Sequence, residues 1–187
     1  GAQAARAILD ANGLYQVRVE HIRGNLTDHY DPRTNVIRLS DGVYQSATIA
    51  AVGVAAHEAG HAVQYATHYL PIRVRNALVP VTNIGSQLSI PLILMGFIFG
   101  IGPLVKVGIL LFAGITVFQL VTLPVEFNAS ARALRIIRED GILQTEQENE
   151  GARKVLSAAA LTYVAALLVS LMQLLRLVLR FGGRRDD

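Results

Sequence analysis

Three long stretches of this chain carry no charged side chain: Asn76 to Val105, Val107 to Val125 and Val155 to Leu175. A helix needs about 20 apolar residues to cross the hydrocarbon core of a bilayer, and each stretch is close to that length or beyond it. Burying all three in a soluble helical bundle would require polar residues to solvate the outer faces. Yet 52% of the 187 residues are hydrophobic and only 17% are charged. The pattern therefore predicts about three transmembrane helices rather than a soluble core. Within the first stretch, Gly96 and Gly100 form a G-x-x-x-G, a spacing suited to close helix contact.

The remaining composition excludes several classes. There is no cysteine, so neither a disulfide framework nor a thiolate metal site is available. The net charge of +3 comes from basic residues beside the apolar runs, not from a Lys/Arg tract with interleaved aromatics. It reads as membrane-flanking charge, and nucleic acid is not an expected partner. The chain opens without an initiator Met, inside what reads as a helix, so an N-terminal piece is expected to precede it.

The first 70 residues read differently. Ala2 to Asn12 has helical composition, with Gly13 as its cap. Tyr15, Val17 and Val19 alternate with Gln16, Arg18 and Glu20, a strand period. Leu26–Tyr30 and Val36–Leu39 are strand candidates around an Asp31-Pro32-Arg33-Thr34-Asn35 turn. The expected fold class is thus α+β: a mostly helical, membrane-embedded protein with a small antiparallel sheet. In the apolar half, Leu88–Val105 and Val107–Val125 read as a helical hairpin around Lys106. A helix over Glu126–Arg138 follows. Another begins at the capping box Thr145-Glu146-Gln147-Glu148 and ends at Phe181-Gly182-Gly183.

The run Ser46 to Ala66 reads as one helix with Ser46 as N-cap, and it contains His57-Glu58-Ala59-Gly60-His61. Residues four apart share a helix face, so the two imidazoles can converge on one metal ion. Glu58, one step round the helix, is then placed to take a proton from water on that metal. This is the arrangement of a zincin, a zinc-dependent peptidase.

A catalytic zinc usually keeps three protein ligands and an open position. The candidates for the third are His21, His29, His68 and the downstream carboxylates. His68 is one residue out of register for the pattern with a third His six residues on, where Thr67 stands. Glu126 fits best: it ends the second uncharged stretch, and two crossings return the chain to its starting side. His57, His61 and Glu126 can then meet at one membrane face.

The chain resembles the bacterial membrane zinc metallopeptidases of the YugP type. The segments that carry the likeness are Leu26-Thr27-Asp28-His29-Tyr30-Asp31-Pro32-Arg33, Ala55-Ala56-His57-Glu58-Ala59-Gly60-His61, Glu126-Phe127-Asn128-Ala129-Ser130 and Ala158-Ala159-Ala160-Leu161-Thr162-Tyr163-Val164. More distantly it is similar to the HtpX membrane proteases, where two crossings also separate H-E-x-x-H from the ligand Glu. Those relatives place an Asp four residues after that Glu to support a zinc-bound His. Here Ser130 stands at that position, and Asp28 is a candidate replacement.

The resemblance implies a multi-pass protein of the bacterial cell membrane that hydrolyses peptides or membrane proteins with Zn2+. On this reading residues 1–75 form the catalytic α+β part and 76–125 a transmembrane hairpin. Residues 126–154 complete the zinc site, and 155–187 form a third crossing with a basic tail. His57, His61 and Glu126 are the expected ligands and Glu58 the proton acceptor. For the oxyanion donor, His29, Tyr30, His68, Tyr69 and Arg132 are available, and the Asp28-His29-Tyr30-Asp31 segment favours His29. Strand Val36–Leu39 is expected to offer an edge to extended substrate. Arg73, Arg75, Arg132, Arg135, Arg138, Arg153 and Lys154 put the catalytic face in the cytoplasm by the positive-inside rule; Arg176, Arg180, Arg184 and Arg185 pull the other way. Two rival readings are an intramembrane protease of the site-2 type and a non-catalytic membrane protein that keeps zinc as a structural clip.

Overall fold

A computed structural model describes residues 1–181. In chain order the elements are α1 (Ala2–Ala11), β1 (Arg18–His21), β2 (His29–Asp31), β3 (Val36–Leu39), α2 (Asp41–Tyr44), α3 (Ile49–Ala66), α4 (Leu70–Ile98), α5 (Gly102–Glu139) and α6 (Glu146–Phe181). They fall into two compact units. One comprises Gly1–Leu70 and Val125–Leu161; the other comprises Pro71–Pro124 and the described residues from Thr162 to Phe181.

The first unit is built around α3. This helix is apolar on nearly every side, and its buried positions are mostly small: Ala51, Ala55, Ala56, Ala59, Gly60 and Ala62. Small residues let neighbouring elements come close all round, as expected of a helix at the centre of a core. Ile8 and Leu9 of α1, Ile37 and Leu39 of β3, and Ala133, Ile137, Ala152 and Leu156 of the returning helices complete that core. α3 and α5 approach each other closely. A Cβ placed on Gly60 would lie 2.6 Å from the Ala129 carbonyl oxygen, so no other residue fits there without movement.

The sheet has strand order β1-β3-β2 and is mixed, not antiparallel throughout. β3 pairs antiparallel with β2 and parallel with β1, matching Val19 to Ile37 and Tyr30 to Ile37. The chain passes from β1 to the far edge, forms β2, and turns back into the gap. Alternation of apolar residues fixes which side chains face the core, but it is the same for either direction of pairing. Leu26 lies outside the strand because its backbone is left-handed, with φ of 57°. The β2–β3 turn is held by Asp31, whose carboxylate accepts from Arg33 N–H at 2.9 Å and Thr34 Oγ1 at 2.7 Å. These bonds hold its pKa down at about 2.

Several boundaries moved. The N-cap of α3 is Thr48, whose Oγ1 accepts from Ala51 N–H at 3.3 Å, while Ser46 bonds to the Thr48 hydroxyl. The α4–α5 turn sits at Phe99–Ile101 rather than at Lys106. Gly100 takes a φ of 68°, and Ile101 N–H reaches back to the Gly96 carbonyl at 2.8 Å, which closes α4. Lys106 therefore lies within α5. No break occurs at Glu126, because a lone carboxylate does not interrupt a helix. The Thr145–Glu148 capping box is formed: Glu148 accepts from Thr145 N–H at 2.9 Å and donates its own N–H to Thr145 Oγ1 at 3.2 Å. Of the predicted Phe181-Gly182-Gly183 stop, the two glycines lie outside the described residues, as do Arg184 and Arg185.

The second unit contains the apolar parts of α4, α5 and α6. All three helices are long and apolar enough to cross a membrane, each containing an 18-residue stretch whose mean hydropathy is 1.5, 2.2 and 2.2 in turn. Large apolar side chains cover their outer faces; Leu110, Met172 and Leu179 are 71%, 72% and 75% exposed. Helices suit such a setting because they satisfy their backbone groups internally. α4 and α5 run antiparallel and meet through glycines. Gly96 faces Val105, whereas Gly100 serves the turn, where an added Cβ would meet nothing within 4 Å, so the G-x-x-x-G is not a packing pair. Thr116 and Ser170 share a buried hydroxyl contact of 2.9 Å between α5 and α6.

Gly108 tests this packing. A Cβ there would come within 2.6 Å of Ile93 and 2.8 Å of the Ser89 carbonyl, whereas one on Gly114 would meet nothing within 4 Å. Gly108→Ala is expected to cost about 1–3 kcal/mol and to lower the melting temperature in detergent. Gly114→Ala should be neutral or stabilising by about 0.5–1 kcal/mol. Equal effects of the two would remove the close-packing account.

Candidate metal centre

The histidines and Glu126 come from two helices that cross at Gly60 and Ala129. On α3, His57 and His61 project from one face one turn apart, their ring centroids 4.7 Å apart and nearly perpendicular. On α5, Glu126 lies one turn before Ala129 and points between them. Glu126 Oε2 is 3.1 Å from His57 Nε2 and 3.5 Å from His61 Nε2. All three potential ligand atoms lie within 4.8 Å of one another.

The donor set fits a divalent cation. Two ligands about 2.0–2.1 Å from a tetrahedral zinc are about 3.3 Å apart, close to both measured separations. Charge points the same way: Glu126 is only 3% exposed, and its carboxylate offers negative charge where a cation between the two imidazoles would sit. Burial of His61 would lower its pKa, but the Glu126 hydrogen bond and the Glu58 charge outweigh it, and the net direction is upward.

Each imidazole is gripped from behind. His57 Nδ1 is 3.0 Å from Ser130 Oγ, and His61 Nδ1 is 2.9 Å from Gln64 Oε1. Both Nε2 atoms are thereby turned inward. Ser130 thus occupies the supporting position by itself. Asp28 does not: its carboxylate accepts from the Ser40 N–H at 2.8 Å and Ser40 Oγ at 2.9 Å, closing the β2 approach against the end of β3. Gln64 was not anticipated. The signal for it was an amide one turn after His61 in a helix whose other buried residues are nearly all small or apolar.

Glu58 is held by the sheet. Its Oε2 accepts from the Tyr30 N–H at 2.9 Å. Because β3 lies in the middle of the sheet, its edges are both paired, and the expectation that Val36–Leu39 offers a free edge fails. β2 is the outer strand, and Tyr30 turns its N–H away from β3 toward Glu58.

The other candidates make contacts of their own. His29 is in β2 beside Tyr30, with Nδ1 2.7 Å from the Thr27 carbonyl. His21 pairs with Asp41 at 2.6 Å on the surface. His68 sits in the turn after α3 with a left-handed φ of 53°. Arg132 donates from Nε to Asn128 Oδ1 at 2.8 Å and lies 5.8 Å from the centre of the Tyr69 ring.

A family described as "Putative neutral zinc metallopeptidase" matches residues 1–182. The chain is 52% identical over 187 residues to the "Putative membrane protease YugP" of Bacillus subtilis (strain 168), covering all of this chain and 83% of that protein. No solved structure matches it. Matched along nearly its whole length, the chain belongs to the family of putative neutral zinc metallopeptidases.

Proposed function

We propose that this chain is a membrane-bound zinc endopeptidase whose metal is held by His57, His61 and Glu126. The observation that carries the reading is the convergence of two Nε2 atoms and one buried carboxylate oxygen, with a second carboxylate, Glu58, next to His57 on the same helix. Zinc bound there would supply a Lewis acid that acidifies water and polarises a peptide carbonyl.

The chain's own groups do the rest. Glu58 accepts the proton of the attacking water and passes it to the departing amine. The Tyr30 N–H fixes the Glu58 carboxylate on the side of β2. That strand, not β3, is the edge along which an extended peptide would lie. His29 is the proposed oxyanion donor, and its geometry sets a condition. A carbonyl only accepts, so the hydrogen on His29 is at Nδ1, bonded to Thr27. Its Nε2 can donate only when the ring is protonated.

Glu126 is the first charged residue after the uncharged stretch Val107–Val125, which supports a site at the membrane face. Arg73, Arg75, Arg132, Arg135, Arg138, Arg153 and Lys154 support the cytoplasmic side. The substrates on this reading are peptides or membrane proteins.

Glu58→Gln should retain zinc and lose cleavage by about 10²–10⁴-fold, read by metal analysis and a peptide assay on the same preparations. Retained cleavage would take Glu58 out of the mechanism; zinc without cleavage in either form would favour a structural clip. Chelation should abolish activity, and added zinc should restore it. Ser130→Ala is expected to weaken zinc binding about 10–100-fold, measured by chelator competition. Because His61 holds its proton more tightly than an ordinary histidine, competition should begin at a higher pH than usual. Zinc affinity should then fall as pH drops through that raised value, and a pH-independent affinity would contradict the assigned ligand.

A further inference from the structure

We propose that Gln64 is the positioning residue of the metal centre: it dictates which nitrogen of His61 carries hydrogen and ties that histidine to the backbone beside Glu126. The proposal rests on the zinc-site reading above.

The argument turns on groups that have no choice of role. A guanidinium only donates and a backbone carbonyl only accepts, whereas an amide side chain or a neutral imidazole can be assigned either way round. Gln64 is fully buried, and one end of its amide meets two acceptors. Its Nε2 is 2.8 Å from the Val125 carbonyl and 3.1 Å from Asn128 Oδ1. The Asn128 atom must itself be oxygen, because Arg132 Nε donates to it at 2.8 Å. The nitrogen of Gln64 is therefore fixed twice, once by the main chain and once through Arg132.

With Nε2 so placed, Oε1 must face His61, where it lies 2.9 Å from Nδ1. An amide oxygen accepts, so Nδ1 carries the hydrogen. A neutral imidazole has only one such hydrogen, and the lone pair is left on Nε2, on the side of Glu126. Gln64 also uses Val125, the residue before Glu126, as its acceptor. One side chain thus sets the tautomer of a ligand on α3 and holds it to the backbone that delivers the ligand from α5.

The second histidine lacks this constraint. His57 Nδ1 meets the hydroxyl of Ser130, which can donate or accept. His61 is the pinned ligand and His57 the adjustable one.

The experiment uses the whole chain in detergent, comparing wild type with Gln64→Leu. Zinc affinity is measured by chelator competition, and the tautomer by nitrogen-15 spectra of metal-free protein with labelled histidine. At a pH alkaline enough for the ring to be neutral, wild type should show His61 as a single Nδ1–H tautomer. Gln64→Leu should show a mixture and bind zinc about 10–100-fold more weakly. A purely packing role would leave the tautomer pattern unchanged, and that outcome overturns the proposal even if affinity falls. A second pair guards against a Gln64 variant that does not fold. Asn128→Asp keeps both acceptors of Gln64 and should retain zinc affinity, whereas Asn128→Leu leaves the Val125 carbonyl as its one remaining acceptor and should lose part of the affinity. Equal affinities in that pair overturn the proposal. Wild type that takes up no zinc overturns the zinc-site reading and this inference with it; wild-type binding matched by Gln64→Leu overturns the inference alone.

Discussion

A carboxylate removed from water has to find compensating charge or hydrogen bonds, and Glu126 is such a group: 3% exposed, set between Val125 and Ala129 on a helix that faces the core. Leaving it unpaired would cost several kcal/mol. Both imidazoles of α3 meet it, and they can do so only because the helices approach to backbone contact at Gly60 and Ala129. The crossing reads as a ladder. His57 meets Ser130, Gly60 meets Ala129, His61 meets Glu126, and Gln64 meets Val125 and Asn128. One apolar contact at its centre sets the spacing of every polar contact on either side.

The rest of the first unit holds that ladder in place. Small side chains on α3 let α1, β3 and the returning helices close around it. The sheet presents its outer strand to the helix, so a main-chain N–H, rather than a side chain, positions Glu58. Both histidines are backed by neutral partners, a hydroxyl and an amide, and neither draws on a carboxylate. A neutral partner orients an imidazole while adding less to its basicity than a carboxylate would, and the negative charge felt at His61 comes from Glu126 and Glu58.

Much of this could be read from the chain alone. Charge-free runs of bilayer length identified the three apolar helices, and the four-residue spacing placed His57 and His61 on one face. Counting the runs between them and Glu126 predicted that the three would meet. The Thr145–Glu148 capping box was legible because its bonds are local. Where the reading erred, the information was not local. Strand alternation is blind to whether a neighbour runs parallel or antiparallel, so the insertion of β3 between β1 and β2 could not be seen. Lys106 drew the α4–α5 turn to itself because charge interrupts an apolar run, but backbone geometry put the turn at Gly100.

The sequence by itself determined the kinds of chemistry open to this protein. It supplies imidazoles and carboxylates but no thiol, two histidines at helical spacing, and helices fit for lipid, because periodicity and composition act over a few turns of chain. Only the tertiary structure decided which groups support the ligands and which edge of the sheet faces the site. Those outcomes depend on contacts between residues some sixty to seventy positions apart, such as Gln64 with Val125 and His57 with Ser130. Such contacts are fixed by how closely two helices can pack, a distance that Gly60 permits and that appears only when Ala129 is beside it.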